Sequence, residues 1–401
     1  MATANPFRFA GYPIRIHAGD GAIAQLGDEA GRARVERLFV VCGQTVAHRT
    51  DLLDRVRDAL GERLAGVFDG TEAASPLPSV EQGVAMAADA GADAIVALGG
   101  GSAVVTTRAI VILLAEGGTA HDHATKYPAG QPPVSPRLMK PKIPNFVVLT
   151  TPTTAATRAG TAVLDPDTGH RLELFDPKTR PAAMFWDTAA LETASPSLCL
   201  SAAGSCFSGV IAALQSKARP NPLAEGDLLQ ALLLLQENLP VVHSGTGSAD
   251  ARVNLCAAAY LSNRASDSSG GSGSLAVVTS LAHSLDSRYP ECSHGAAYSI
   301  LTAPGMRFNA EYNLDGQARL ASLLGVALKG TDQRQQAKAA ASSVGDTYLS
   351  LGMPSRLSEV GVTEQGISEI AQDSMTDFAI HRNLRPVEDA AQLEGLLRKI
   401  W

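Results

Sequence analysis

Short apolar runs and amphipathic stretches alternate along the first part of the chain. The runs RLFVVCG (Arg37–Gly43) and DAIVALGGGS (Asp93–Ser102) are almost entirely apolar and end in small residues. Such runs are typical of strands that are buried on both faces of a sheet. Between them, LLDRVRDALGERL and SVEQGVAMAADAGA place apolar residues at the spacing of an amphipathic helix. This alternation predicts βαβ units and a parallel sheet.

The same pattern continues after the glycine-rich run. The proline-rich segment 121–144 has few apolar residues and predicts a long loop, after which NFVVLTTPTT resumes as a strand. TAVLDPDTGHRLELFDP (Thr161–Pro177) predicts a hairpin, because Pro-Asp-Thr-Gly at its middle favours a turn. We expect this α/β region to close with MFWDTAAL.

After Asp187 the pattern becomes helical throughout. LCLSAAGSCFSGVIAALQSK, GDLLQALLLLQENL and ADARVNLCAAAYLSNRA follow a helical period. SDSSGGSGS (Ser266–Ser274) predicts a flexible loop because it is rich in glycine and serine. We therefore predict two domains, an α/β domain over residues 1–187 and an all-helical domain over residues 188–401.

Composition and charge narrow the class of protein. Of the 401 residues, 45% are hydrophobic and 18% are charged, which is typical of a globular protein. A net charge of -7 with scattered basic residues argues against a nucleic-acid partner. The N-terminus lacks a signal pattern and no stretch has about 20 unbroken apolar residues, so no membrane partner is expected. Five widely spaced cysteines without a CxxC pair predict a reducing, cytoplasmic location.

The run IVALGGGSAVVTTRAI contains the strongest candidate for a ligand site. An apolar strand leads into Gly99, Gly100, Gly101 and Ser102, and a helix follows. Glycines let the backbone approach an anion closely and the first N–H groups of the helix point at it, so a pyrophosphate is the expected ligand. The loop matches neither GxGxxG nor a Walker loop. A tight turn that binds nothing is the alternative.

A second candidate follows the next predicted strand. TTPTTAATRAG (Thr150–Gly160) places four threonines around a proline. Hydroxyls at the carboxyl end of a strand lie where open α/β sheets bind ligands. An ordinary threonine-rich strand end is the alternative.

Four segments, in this order, resemble the iron-containing (group III) alcohol dehydrogenases and their relatives, the maleylacetate reductases. They are FDG with SPLPSVEQGVAMAADAGADAIVALGGGS, then TTPTTAATRAG, LDPDTGHRLELFDPKTRPAAMFWD and AHSLDSRYPECSHGAAYSILTAPGMRFN. The second lacks the final Ser-Glu of the family's PTTAGTGSE. The resemblance covers nearly the whole chain and implies a dehydroquinate synthase-like architecture with a Rossmann-like nucleotide-binding domain. It also implies an NAD(P)H-dependent oxidoreductase that acts on a small molecule and forms a homodimer.

The resemblance assigns the cofactor to particular residues. The glycine loop would hold the pyrophosphate, and the threonines would line the nicotinamide side. Arg171 stands where the family usually has a lysine, and Gly43 where an aspartate often contacts the adenosine ribose. Without that carboxylate NADP becomes acceptable as well as NAD. On the following helix, Val105 and Arg108 replace an aspartate and a lysine. The cofactor residues are thus Gly43, Gly99, Gly100, Gly101, Ser102, Thr153, Thr154, Thr157 and Arg171.

The metal ligands of the family are largely missing. One aspartate and three histidines hold iron or zinc in the family, and the matching positions here are Cys206, Val210, Thr279 and His294. A valine has no donor atom, and one histidine cannot hold a divalent cation, so we expect no metal. A substitute zinc site is the open alternative, and its donors would be Cys206, His283, Cys292 and His294.

Without a metal, another acid must neutralise the charge that hydride transfer creates on the substrate. His283 and His294 are the candidates, since histidine donates a proton at neutral pH and the family counterpart of His283 lies near the nicotinamide. A purely structural role for either histidine is the alternative.

We therefore expect a metal-independent NAD(P)-dependent reductase or dehydrogenase that acts on a carbonyl or imine of a small organic molecule. Two other functions stay open. One is a non-redox enzyme (a lyase, cyclase or hydrolase) on the same scaffold, and the other is a catalytically silent member of the family.

Overall fold

The computed structural model describes residues 6–128, 133–245, 248–269 and 273–401. The chain forms two compact units. The sheet unit comprises Tyr12–Ser195 and Gly247–Cys256, and the helical unit comprises Met1–Gly11, Pro196–Thr246 and Ala257–Trp401. The domain boundary at residue 187 stays a prediction.

The strands of the sheet unit form a parallel sheet and a separate hairpin. The sheet has the order β1-β8-β5-β4-β2-β3, and β6 pairs with β7 in antiparallel orientation. The strands are β1 (Arg15–Gly19), β2 (Leu38–Cys42), β3 (Leu64–Phe68), β4 (Ala94–Gly99), β5 (Asn145–Leu149), β6 (Gly160–Leu164), β7 (Arg171–Phe175) and β8 (Ala183–Asp187). The predicted parallel sheet and hairpin are confirmed.

Helices cover both faces of the sheet, which explains the continuous apolar runs of its strands. Along β2, Leu38 and Val40 pack in one core cluster with residues of α1 and α3. Phe39 and Val41 point to the other face and pack with residues of α4 and α5. The helices of the sheet unit are α1 (Leu26–Ala33), α2 (Gln44–Arg49), α3 (Leu52–Leu60), α4 (Leu77–Asp89), α5 (Gly101–Glu116), α6 (Ala120–His123) and α7 (Thr188–Glu192).

The described residues after β8 contain helices and turns but no strand, which confirms the all-helical second half. The helices are α8 (Pro196–Leu214), α9 (Pro222–Ser244), α10 (Ser248–Ser269), α11 (Ala276–Arg288), α12 (His294–Asn309), α13 (Leu314–Leu323), α14 (Gln333–Ser350), α15 (Glu364–Ser374) and α16 (Ala390–Leu397).

One of these helices has the composition of a membrane span. Within the described residues α8 alone is long and apolar enough to cross a membrane. However, 56% of its apolar window is buried inside the protein, as in the core helix of a globular domain. Its apolar character is therefore explained by packing.

Two predicted loops are shorter than expected. In the segment 121–144, α6 extends to His123 and Lys126 pairs with Val134, while residues 129–132 lie outside the described residues. In the segment 266–274, α10 continues through Ser269 and a short 3-10 turn begins at Gly273, with residues 270–272 outside the described residues. Serines alone did not end α10, because serine tolerates a helix far better than glycine does.

Candidate active site

The two predicted ligand motifs lie side by side at the carboxyl edge of the sheet. Gly99 of β4 is the register partner of Leu149 of β5, and the N–H of Thr150 donates to the Gly99 carbonyl at 3.1 Å. On the other side of β4, Leu98 pairs with Cys42, the last residue of β2. The three strand ends that carry the predicted cofactor residues are therefore neighbours, with the glycine loop in the middle.

The glycines allow the threonine segment to pack directly against the loop. Gly99 has φ 149°, a conformation that other residues rarely adopt. A Cβ atom at Gly100 would lie 2.9 Å from Oγ1 of Thr151, and one at Gly101 would lie 3.3 Å from Oγ1 of Thr153. Any side chain at Gly100 would force the Thr151 side chain to move, so glycine allows the threonine segment to pack here.

The first turn of α5 is open. The N–H of Val104 donates to the Gly100 carbonyl, but the N–H groups of Gly101, Ser102 and Ala103 have no acceptor among the described residues. No side chain caps this turn, and no acidic residue lies in it. Uncapped N–H groups at the start of a 16-residue helix attract an anion, which is the chemistry predicted for the glycine loop.

A strained turn before α4 supports the glycine loop. Ala74 and Ser75 have φ 61° and 53°, which costs about 1–2 kcal/mol for each non-glycine residue. The Ser75 hydroxyl donates to the Ser102 carbonyl at 3.2 Å and accepts from Thr106 Oγ1 at 3.0 Å. The sequence gives no sign of this support, because Ser75 lies in a loop that looks like an ordinary Ser-Pro turn.

Arg171 lies on the hairpin of β6 and β7, which contacts the turn that contains Ser75. Arg171 is exposed on β7 opposite Leu164, whose N–H donates to the Ser75 carbonyl at 3.1 Å. Arg171 is thus connected to the glycine loop through the Ser75 turn.

Gly43 is the N-cap residue of α2 and lies against the loop that follows β3. Its backbone, with φ -102° and ψ 164°, is open to any residue, although a Cβ would lie 3.2 Å from the Thr71 carbonyl. The nearby carboxylate of Asp69 pairs with His48 at 2.7 Å. The absence of an aspartate at Gly43 is therefore not imposed by the backbone.

The threonine segment forms a short 3-10 turn over residues 154–157. The Thr153 hydroxyl accepts from the N–H of Ala155 at 3.1 Å, and Thr157 is buried. Thr153 and Thr154 are partly exposed. The hydroxyl of Thr153 lies beside the glycine loop, 3.3 Å from the position of a Cβ at Gly101.

Arg108 ties this turn to α5. The side chain is 2% exposed, and its guanidinium donates to the carbonyls of Gly160 and Ala155, both at 2.8 Å. Burial, with the nearby charges of Arg158 and Arg180, lowers the pKa of Arg108 to about 9. It is still a cation at neutral pH, so the turn is held by a buried charge.

His283, in the helical unit, is oriented by a carboxylate. Its Nδ1 lies 2.9 Å from Oδ2 of Asp377, and Oδ1 of Asp377 accepts from the N–H of Ala379 at 2.8 Å. This fixes the ring with Nε2 as the remaining nitrogen, an arrangement that suits a proton donor. The pair is separated by 94 residues, so no local motif could reveal Asp377.

His294 has the same kind of partner. Its Nδ1 lies 2.5 Å from Oδ2 of Asp286, and its ring meets that of Tyr298 edge to face at 4.8 Å. Asp286 stands within the quoted AHSLD segment, so this partner was visible in the sequence but was not recognised there.

The positions that match the family's metal ligands do not form a donor set. Val210 is fully buried, and the described residues hold no group of three His, Cys, Asp or Glu side chains that could bind a metal ion. Burial and Asp286 raise the pKa of Cys292 to about 11, so this thiol is protonated at neutral pH. Among the described residues, neither the four positions that the resemblance assigns to the metal nor the set of Cys206, His283, Cys292 and His294 gathers into such a group.

Comparisons with known proteins agree with this arrangement of motifs. The family model for iron-containing alcohol dehydrogenase matches residues 13–188, and the model for the C-terminal region of the Fe-containing alcohol dehydrogenase family matches residues 210–401. Lactaldehyde reductase of Escherichia coli K12 is 26% identical over 387 residues, with 94% of this chain and 95% of the relative covered. Maleylacetate reductase 2 of Cupriavidus pinatubonensis is 26% identical over 318 residues, with coverage of 78% and 77%.

The fold also matches solved structures. NADH-dependent butanol dehydrogenase A from Thermotoga maritima superposes with a TM-score of 0.85 at 19% identity, and 98% of each chain is covered. This similarity confirms the predicted fold, and the two family models cover both halves of the chain. The protein is an oxidoreductase of the iron-containing alcohol dehydrogenase family, whose members depend on NAD(P)H.

Proposed function

We propose that this protein is a metal-independent NAD(P)H-dependent reductase that acts on a carbonyl or imine group of a small organic molecule. The observation that carries the proposal is the open first turn of α5 beside the glycine loop and the threonine turn. A helix that begins with three unpartnered N–H groups and no acidic residue is suited to a pyrophosphate.

The threonine turn provides the second part of the cofactor site in this proposal. It follows β5, which neighbours β4 in the sheet, so its hydroxyls lie next to the phosphate-binding turn. When bound, NAD(P)H supplies the hydride. The hydroxyls of Thr153, Thr154 and Thr157 would orient the nicotinamide end, while Gly99 to Ser102 hold the pyrophosphate.

The histidines complete the chemistry. As the hydride adds to the carbonyl carbon, the electron pair of the C=O bond moves to oxygen, which takes a proton from Nε2 of a histidine. A carboxylate at Nδ1 holds the ring in one orientation and leaves Nε2 for the transfer. His283 with Asp377 and His294 with Asp286 both have this arrangement, and mutagenesis decides between them.

Metal independence is the feature that separates this proposal from the usual chemistry of the family. Val210 and Thr279 provide no imidazole where the family has histidines, and Cys292 is a protonated thiol. The proposal puts the side chain of a histidine in place of the Lewis acid.

The experiment measures cofactor binding and turnover together. We expect NADH or NADPH to quench protein fluorescence and raise the melting temperature, and carbonyl compounds to oxidise the cofactor at 340 nm. Elemental analysis of the same sample should give far less than one metal ion per chain. Failure of both cofactors to bind would remove the proposal, whereas binding without turnover on a broad panel of carbonyl compounds and imines would favour a silent family member.

We also infer a homodimer in the cytoplasm. β1 is an edge strand of the sheet, and its backbone is free on one side for pairing with another chain. All five cysteines are buried thiols outside any disulfide, which suits a reducing compartment. Light scattering after size exclusion tests the dimer directly.

A further inference from the structure

Three arginines surround the threonine turn of the sheet unit. Arg108 donates to the Ala155 carbonyl at 2.8 Å, and Nε of Arg180 donates to the Thr157 carbonyl at 3.1 Å. Arg158 is the next residue in the chain and is exposed. The guanidinium groups of Arg108 and Arg180 thus donate to carbonyls of the turn, and Arg158 follows the turn directly in the chain.

Neither Arg108 nor Arg158 has an acidic partner among the described residues. Arg108 bonds only to backbone carbonyls, and Arg158 forms no hydrogen bond or ion pair with the described residues. Lys142, which is also buried in the sheet unit, instead lies between the carboxylates of Glu116 at 2.6 Å and Asp176 at 3.1 Å. Arg108 and Arg158 therefore leave positive charge at the threonine turn that no carboxylate among the described residues pairs with.

The positive charges of the three arginines repel one another. Arg158 and Arg180 each contribute to the lowered pKa of Arg108, after the larger effect of burial. An anion bound beside the turn would offset this repulsion and would form charge-assisted hydrogen bonds with a guanidinium.

The order of the strands separates this region from the adenosine end of a cofactor. The threonine turn follows β5 and Gly43 follows β2, and these strands flank β4 on opposite sides. With neighbouring strands about 4.8 Å apart, β2 and β5 are about 10 Å apart. In the proposed function the ribose that carries a 2′-phosphate lies on the β2 side, so an anion at the β5 side belongs to the reacting end.

Building on the proposed function, we propose that Arg158 binds a carboxylate of the substrate, so that the enzyme reduces oxo acids in preference to neutral carbonyl compounds. Arg180 adds positive charge at the turn. Arg108 acts as a positioning residue, since it holds the backbone of the turn from which Arg158 emerges. The exposed guanidinium of Arg158 can take both oxygens of a carboxylate.

The test compares oxo acids of three to six carbons with neutral aldehydes and ketones of the same chain length. We expect wild-type kcat/KM to be at least about 10-fold higher for the best acid than for its neutral counterpart. R158Q should lose at least about 10-fold on the acid, mainly through KM, and stay within about 2-fold on the neutral compound. R158K keeps the positive charge but cannot bind both carboxylate oxygens as a guanidinium does, so it should recover part of the lost kcat/KM.

R57Q is the matched control, because Arg57 is a half-exposed arginine on α3 that pairs with Asp54. It should leave the preference for acids unchanged. The Kd of NADH and of NADPH is measured for every variant by fluorescence quenching, and R158Q should keep both within about 2-fold of wild type.

Each other outcome overturns the assignment. Equal kcat/KM for acids and neutral compounds, or no reduction of either by protein that binds NAD(P)H, removes the carboxylate site. A selective loss of NADPH affinity in R158Q would instead make Arg158 a ligand of the 2′-phosphate. If wild-type protein binds neither cofactor, the proposed function itself fails, and the binding measurement shows this before any kinetics.

Discussion

The sheet unit and the helical unit differ in how much of the family pattern inferred from the sequence they contain. In the sheet unit the glycine loop, the threonine turn and the open start of α5 are all present and adjacent. In the helical unit, Val210 and Thr279 stand where the resemblance to the family implies metal ligands, and both candidate histidines pair with carboxylates. In the proposed function, this difference means that the fold binds a dinucleotide without a metal.

The starts of α5 and α12 show the same contrast in detail. Both helices have 16 residues. At α12 the Ser293 hydroxyl accepts from the N–H of Ala296 at 3.2 Å, and the N–H of Gly295 donates to Ser201 Oγ at 3.1 Å. At α5 no side chain takes these roles. The protein's own hydroxyls satisfy one helix start, whereas no side chain among the described residues caps the start of α5.

The largest expected effect is at the histidines. Replacement of the true proton donor by glutamine should lower kcat by about 10²–10⁴-fold with little change in NAD(P)H affinity, since general acid catalysis is lost. H283Q and H294Q are compared by steady-state kinetics at 340 nm.

The aspartate partners sharpen this result. D377N should lower kcat only if His283 is the proton donor, and D286N should lower kcat only if His294 is the proton donor. If both glutamine variants keep wild-type kcat, neither histidine is the acid and the helical unit contributes only structure.

The next effect concerns the glycine loop. G100V should weaken NAD(P)H binding by at least about 100-fold, or about 2.7 kcal/mol, because even its Cβ would lie 2.9 Å from Thr151 Oγ1. G31A is the control, since a Cβ at Gly31 on α1 has no neighbour within 4 Å. Unchanged affinity in a folded G100V protein would show that the loop is only a turn.

How much the sequence could reveal differs between these two regions. The strand, the glycine loop and α5 are contiguous, so local hydrophobic pattern and glycine spacing predict them. The pairing of His283 with Asp377 spans 94 residues and depends on the packing of separate elements, which no local pattern records. β1 was likewise missed, because its short, half-exposed edge lacks the continuous apolar run of the central strands.

Substitution of Gly43 should have a smaller effect, on the relative affinity for NADPH and NADH. Since its backbone accepts any residue, G43D should fold and weaken NADPH by about 10-fold relative to NADH through repulsion of the 2′-phosphate. G43N, which has the same shape without the charge, serves as control. Equal loss for both cofactors would place the adenosine ribose elsewhere.

Cys292 should react very slowly with alkylating reagents. Its pKa of about 11, raised by burial and then by Asp286, leaves about one thiol in a thousand as thiolate at pH 8. Alkylation rates measured by mass spectrometry should rise with pH up to about pH 11. Rapid labelling at pH 7 would contradict the raised pKa of this thiol.

The smallest effect is expected from removal of metal. This experiment tests metal independence most directly. Protein treated with a strong chelator, with its metal content measured on the same sample, should bind NAD(P)H and reduce its substrate at the untreated rate, and added Fe²⁺ or Zn²⁺ should not increase it. Loss of activity on chelation, restored by one equivalent of either ion, would contradict the account.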